Sequence, residues 1–196
     1  MPEDTQLSDS DGVFLVKTAR MAVTEFLSNG KRMKLESERE KKFSFNAGVF
    51  VTLNNADGLR GCIGFPMPDK KLSHGIIDAA IAAATEDPRF SPVKINELNE
   101  IVFEVTVLTP PVEITVTDPM EYLEKIKVGR DGLIIRNSFS SGLLLPQVPV
   151  EYGWNVEEFL QHTCEKAGLE KDTWKNEKVK IEKFEGIVYK EKSNGS

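Results

Sequence analysis

The sequence predicts a mixed helix-and-strand chain whose strands join as antiparallel hairpins, and three observations carry that reading. Phe43, Phe45, Ala47, Val49, Val51 and Leu53 alternate with Ser44, Asn46, Gly48, Phe50 and Thr52, the period of two of a half-buried strand. Asn54-Asn55-Ala56-Asp57-Gly58 then supplies residues that tolerate left-handed backbone angles and turns the chain back into Leu59–Phe65. Between such strands lie stripes of apolar residues at helical spacing.

The elements follow in order. Residues 1–10 are polar and acidic and read as a flexible tail, with a helix N-cap among Ser8, Asp9 and Ser10. The first helix runs to about Ser28 on Val16, Ala19, Val23, Phe26 and Leu27, and Gly30 stops it. Lys31–Lys42 is a charged connection with room for one more helical turn. In the hairpin after it, Leu53 is expected to face Leu59. That register sets Val51, Val49 and Ala47 against Gly61, Ile63 and Phe65 on an apolar face, and Thr52, Phe50 and Gly48 against Arg60, Cys62 and Gly64 on the other.

Pro66 and Pro68 end the strand, and Lys70–Glu86 reads as a helix whose stripe of Leu72, Ile76, Ala79, Ala80, Ala83 and Ala84 implies close packing on a sheet. Asp87-Pro88-Arg89-Phe90 closes it. A strand follows at Ile101–Leu108, with Glu104 on its less apolar face as a counter-charge for Arg60 if the strands are neighbours. Beyond Pro110-Pro111, Asp118-Pro119 caps a short helix to about Lys127, and Leu133–Arg136 and Leu143–Leu145 form a second hairpin. Gln147–Trp154 is too polar and too proline-bound for a strand. Asn155 and Glu158 mark a capping box, with Trp154 and Phe159 as its hydrophobic staple, and the helix ends at Gly168. Val179–Tyr189 is the last strand, and 191–196 a polar tail.

Composition bounds the function. The 196 residues carry 40% hydrophobic content, enough for one domain or two small lobes. Two cysteines about a hundred residues apart, no signal-peptide pattern and no apolar run near the ~20 residues of a membrane span predict a cytoplasmic chain without disulfides. A net charge of −6 argues against electrostatic nucleic-acid binding. The basic clusters Lys31, Arg32, Lys34 and Arg39, Lys41, Lys42 read as solvated loop. There is no phosphate loop, dinucleotide fingerprint, paired-cysteine metal motif, His-Glu-x-x-His or nucleophile elbow, so no cofactor or metal is expected. Asn194-Gly195-Ser196 matches a glycosylation acceptor but is discounted in a cytoplasmic chain.

The candidate site is Gly58–Gly64. Arg60 and Cys62 are expected to point the same way, roughly 7 Å apart along one strand, beside bare backbone at Gly48 and Gly64. A guanidinium favours thiolate, and glycines let a ligand or another chain approach closely. Against this stands the reading in which Cys62 fills space and the glycines make room for neighbours. Asp87 and Arg89 either wall the site or pair internally to fix their loop. His74 reads as a surface residue or hydrogen-bonder, and Cys164 as core, two positions from a His162 that faces elsewhere on its helix.

Taken together, Leu59-Arg60-Gly61-Cys62-Ile63-Gly64, Asp87-Pro88-Arg89-Phe90, Gly142-Leu143-Leu144-Leu145-Pro146-Gln147-Val148 and Glu151 through Gly153-Trp154 resemble the AMMECR family, from about residue 11 to 190. Without the long extension of vertebrate members, the chain looks like a prokaryotic or archaeal single-domain member. The resemblance implies an α+β fold, a mainly antiparallel sheet flanked by helices, in two unequal lobes. It also implies a link to a Memo-like protein and a radical S-adenosylmethionine protein in a modification pathway. An older implication is a role in basal transcription, replication, repair or translation, which the acidic charge favours less.

Two readings share the same surface. In one, Cys62 is a nucleophile or substrate-tethering thiol, Arg60 its stabiliser or an anion binder, and Asp87, Arg89, Gln147 and Glu151 the site walls. In the other, the Arg60, Gly61, Cys62 and Gly64 face is a non-catalytic dock for a partner protein or small ligand.

Overall fold

The computed structural model describes residues 7–35, 37–175 and 179–191. The ends of the expected tails, 1–6 and 192–196, and the Asn194-Gly195-Ser196 match lie outside the described residues. The fold is α+β, and the chain divides into two compact units, residues 1–108 with 187–196, and residues 109–186.

In the first unit, helix α1 (Asp9–Asn29) starts at Ser8, whose side chain accepts the Asp11 N–H while the Asp11 carboxylate accepts the Ser8 N–H. It ends at Gly30, whose φ of 72° suits a residue without Cβ. Its Leu15, Val16, Ala19, Ala22 and Val23 are buried. Helix α2 (Ser37–Lys42) is the extra turn in the charged connection. Helix α3 (Leu72–Thr85) buries Leu72, Ile76, Ala79, Ala80, Ala83 and Ala84.

The sheet of this unit sets β1 (Val49–Asn55) between β2 (Gly58–Phe65) and β3 (Val102–Leu108), all antiparallel. Residues 187–190 of β7 (Lys180–Lys190) belong to the same unit, and Glu191 beyond them donates its N–H to the Phe103 carbonyl. Glu191, expected in the tail, is tied down: its carboxylate accepts from Arg20 Nε and Nη2 at 2.6 Å each and from the Phe103 N–H at 3.1 Å.

Two expectations are corrected here. The first strand is shorter than Phe43–Leu53, because the carbonyls of Phe43 and Phe45 accept the N–H groups of Ser73 and Leu72. Helix α3 has no side-chain cap at Lys71, so this extended segment satisfies its first-turn donors. The hairpin register is also displaced by two residues. The turn is tight, with Asn55 opposite Gly58 at a φ of 110°, and the pairing shifts between Leu53 and Asn54, so that Arg60 is the extra residue of a bulge. Thr52 faces Cys62, Phe50 faces Gly64 and Leu53 faces Gly61. The displacement is even, so 49–53 and 61–65 keep their predicted faces, whereas Leu59, outside the bulge, is exposed rather than apolar core.

The second unit carries a sheet in the order β6–β5–β7, with β5 at Asp131–Arg136 and β6 at Ser141–Leu144, and the two-residue β4 (Val112–Glu113) on the other side of β7. Helix α4 (Tyr122–Lys125) follows a single 3-10 turn capped by Asp118. Helix α6 (Val156–Lys166) starts with the predicted Asn155–Glu158 box. The segment Gln147–Tyr152, expected to be irregular, is helix α5. Pro149 is its third residue, where no intrahelical N–H partner is lost. Leu133, Ile135, Phe159, Leu160, Trp174 and Ile181 form this unit's core.

Candidate functional site

Cys62 lies on β2, the edge strand of the first sheet, so part of its backbone has no strand to pair with. The loop after α3 fills that role. The Cys62 N–H donates to Asp87 Oδ2 at 2.8 Å, and Arg89 Nη2 donates to the Cys62 carbonyl at 3.4 Å. Arg89 in turn gives its backbone N–H and Nε to Asp87 Oδ1, at 3.1 and 3.0 Å, and Nη2 to Oδ2 at 2.8 Å. The Asp87 side chain is 2% exposed, and the Arg89 guanidinium beside it holds its carboxyl well below the usual carboxylate range despite burial. Asp87 and Arg89 thus pair internally and together grip the backbone of Cys62.

Arg60 is turned to a different partner from the one expected. Its side chain is 14% exposed, with Nε and Nη2 donating to Glu97 at 3.0 and 3.3 Å and Nη1 to the Ser91 carbonyl at 2.9 Å. Glu97, whose carboxyl Arg60 holds below its ordinary range, takes the place proposed for Glu104. The bulge is the reason, because it takes Arg60 out of the register that would have set it opposite Thr52.

The glycines have close neighbours within the protein itself. A Cβ on Gly61 would sit 2.2 Å from the Ala83 carbonyl oxygen of α3, and one on Gly64 would sit 2.3 Å from the Phe50 ring. In both cases the close approach that a missing side chain allows is already made.

The face of the sheet away from α3 holds two cross-strand rows, Cys62–Thr52–Glu104 and Gly64–Phe50–Thr106. All six residues are half-buried. Cys62 is a free thiol with its Sγ 3.2 Å from Thr52 Oγ1. Thr52 was not among the predicted site residues; it stands opposite Cys62 because the bulge at Arg60 shifts the pairing by one residue beyond the two-residue turn.

Gln147 and Glu151 are exposed on α5 of the second unit. Cys164 is buried there, and burial pushes its thiol up to about 11. His74 Nε2 lies 3.3 Å from Glu40 Oε1, while His162 stacks on Trp154 with ring centres 3.9 Å apart and meets Glu165 at 2.8 Å. Among the described residues no three His, Cys, Asp or Glu side chains are placed to hold a metal ion, and no helix is long and apolar enough to cross a membrane.

An α+β chain with an Arg-Gly-Cys-Ile-Gly edge strand pinned by an Asp-Pro-Arg loop is the structural class these observations define. The AMMECR1 family model matches residues 16–189, and the chain belongs to that family. Protein MJ0810 of Methanocaldococcus jannaschii is 52% identical over 187 residues, covering 94% of this chain and 92% of that one. Protein PYRAB00100 of Pyrococcus abyssi is 48% identical over 191 residues, covering 95% and 93%. The crystal structure of the uncharacterized protein PH0010 from Pyrococcus horikoshii matches with a TM-score of 0.77 at 49% identity, over 95% of this chain and 94% of that one.

Proposed function

We propose that this chain acts through Cys62, as a thiol-bearing component of a modification pathway in the cytoplasm, with the thiol as nucleophile or substrate tether. The carrying observation is that one free cysteine stands half-buried on a sheet face while both its N–H and its carbonyl are gripped by one loop. A thiol whose backbone is fixed on both sides presents its sulfur with little motion to lose on meeting a substrate. The Memo-like and radical S-adenosylmethionine partners, with an unidentified small-molecule substrate, enter from the family resemblance.

The test is iodoacetamide labelling of the native chain, read by intact mass and peptide mapping. The sulfur forms a bond to carbon, iodide leaves, and the thiol proton passes to solvent. One label per chain at Cys62 is expected, with Cys164 silent until denaturant is added. A native chain that takes no label, or takes it first at Cys164, would overturn the reading.

A second reading, a non-catalytic dock, is favoured by one specific observation. The Arg60 guanidinium is committed to Glu97 and Ser91, so it stands as a scaffold for β2 rather than as a stabiliser of thiolate. In that case Cys62→Ser leaves capture of the pathway partners unchanged. Under the thiol reading, the same variant abolishes product formation while the fold melts as wild type.

A further inference from the structure

We propose that the row Glu104–Thr52–Cys62 forms one subsite, in which Glu104 binds an ammonium or guanidinium group of the ligand that the thiol meets. This rests on the thiol reading above and adds to it a class of ligand.

The geometry comes from register. Thr52 pairs directly with Cys62 on one side and with Glu104 on the other, so the three side chains stand in line on one face. With strands about 4.8 Å apart, the first and last Cβ atoms of such a row are roughly 10 Å apart. Between a cation held at the carboxylate and an atom at the sulfur there is space for a linker of a few bonds. The Thr52 hydroxyl, already 3.2 Å from the sulfur, lies between the two ends. Phe50, on the same face in the next row, adds an aromatic wall that a cation tolerates well.

Charge argues for the same group. In the first unit the carboxylates of Asp11, Asp78, Asp87, Glu97 and Glu191 each meet a basic side chain: Lys42, Arg32 with Lys70, Arg89, Arg60 and Arg20. Glu104 is half-buried, yet it meets neither a cation nor a hydrogen-bond donor among the described residues. Lys190 stands opposite Glu104 on the adjoining strand, by the pairing that the Glu191 N–H to Phe103 carbonyl bond sets, but it is exposed and forms no ion pair with Glu104. Partly desolvating a carboxylate costs free energy that a bound cation would offset.

The experiment uses the full chain and two thiol reagents that differ only at one end, 2-aminoethyl and 2-sulfonatoethyl methanethiosulfonate, with methyl methanethiosulfonate as the neutral reference. In each, the cysteine sulfur attacks the sulfenyl sulfur, an S–S bond forms, the S–SO2 bond breaks, methanesulfinate leaves and the thiol proton goes to solvent. The ammonium reagent is expected to label native Cys62 about tenfold faster than the sulfonate, each relative to its rate with free cysteine. Glu104→Gln should bring that ratio close to one, whereas Glu100→Gln, which removes an exposed carboxylate and changes net charge equally, should leave it. Glu104→Leu carries the same readout if the glutamine variant misfolds. Equal ratios in the Glu104 and Glu100 variants would overturn the subsite and leave the thiol reading standing. Failure of all three reagents to reach Cys62 in the folded chain would overturn the thiol reading, and the subsite with it.

Discussion

Asp87→Ala is expected to destabilise the chain by about 2 to 3 kcal/mol and to lower its melting temperature by about 4 to 12 °C. Asp87 accepts from the Cys62 N–H and from three donors of Arg89, and its side chain is 2% exposed. Alanine leaves the Cys62 donor without an acceptor at a sheet edge, which also uncovers a strand for unwanted pairing. The cost stays in that range because Arg89 is 56% exposed at its side chain and regains water once its partner is gone. Differential scanning calorimetry of the two chains checks it, and a variant melting within 2 °C of wild type would refute the role given to the loop.

The same residue gives a pH signature with a defined sign. The Asp87 carboxyl titrates below its ordinary value of 3.8 in the folded chain, chiefly because Arg89 hydrogen-bonds its charged form. Its contribution is therefore complete above that ordinary value and is lost as pH falls toward the folded one. Asp87→Asn, an isostere with no charge to lose, should be less stable than wild type at pH 7, and the gap should narrow as pH drops below about 4. A gap that is constant between pH 7 and pH 3 would mean that the charge is irrelevant and that shape alone matters.

How much of this was legible in the sequence depends on which physical signal each residue carried. Alternation placed Val49, Val51 and Leu53 on the core face, because burial on one side of a sheet forces a period of two and survives an even slip in register. The slip itself was not legible: Asn54–Gly58 is compatible with a long or a tight turn, and nothing in the chemistry of Arg60 marks it as the extra residue of a bulge. That single residue decides the site's electrostatics, since it moves the guanidinium from the thiol row to Glu97. The capping box at Asn155 and Glu158 was readable because both donor–acceptor pairs are local. The role of Phe43 and Phe45 as acceptors for the start of α3 was not, because it joins segments thirty residues apart through backbone atoms that any sequence possesses. Helix α5 was hidden by its prolines, which discourage a helix in general but are harmless in a first turn.

Gly61→Ala is expected to cost about 3 kcal/mol, and Gly61→Val to leave little soluble protein. Gly61 is buried, and a Cβ there would stand 2.2 Å from the Ala83 carbonyl oxygen and 3.2 Å from its carbonyl carbon. Both are backbone atoms in α3, so relief requires the helix to lift from the sheet along its alanine stripe, where Ala79, Ala80, Ala83 and Ala84 are almost fully buried and leave no side chain to swing aside. Gly75 provides the control within the same interface. A Cβ on Gly75 would come within 3.1 Å only of the Val49 Cγ1 atom, a side-chain methyl that can yield by a few tenths of an ångström. Alanine also improves helix propensity there by about 0.5 to 1 kcal/mol, so Gly75→Ala should lie within about 1 kcal/mol of wild type. Urea titrations of the two single variants decide the matter, because they alter the same helix–sheet layer by the same methyl group. Equal midpoints would mean that the layer is soft and that the glycine of the Arg-Gly-Cys-Ile-Gly strand is present for something other than the close seating of α3.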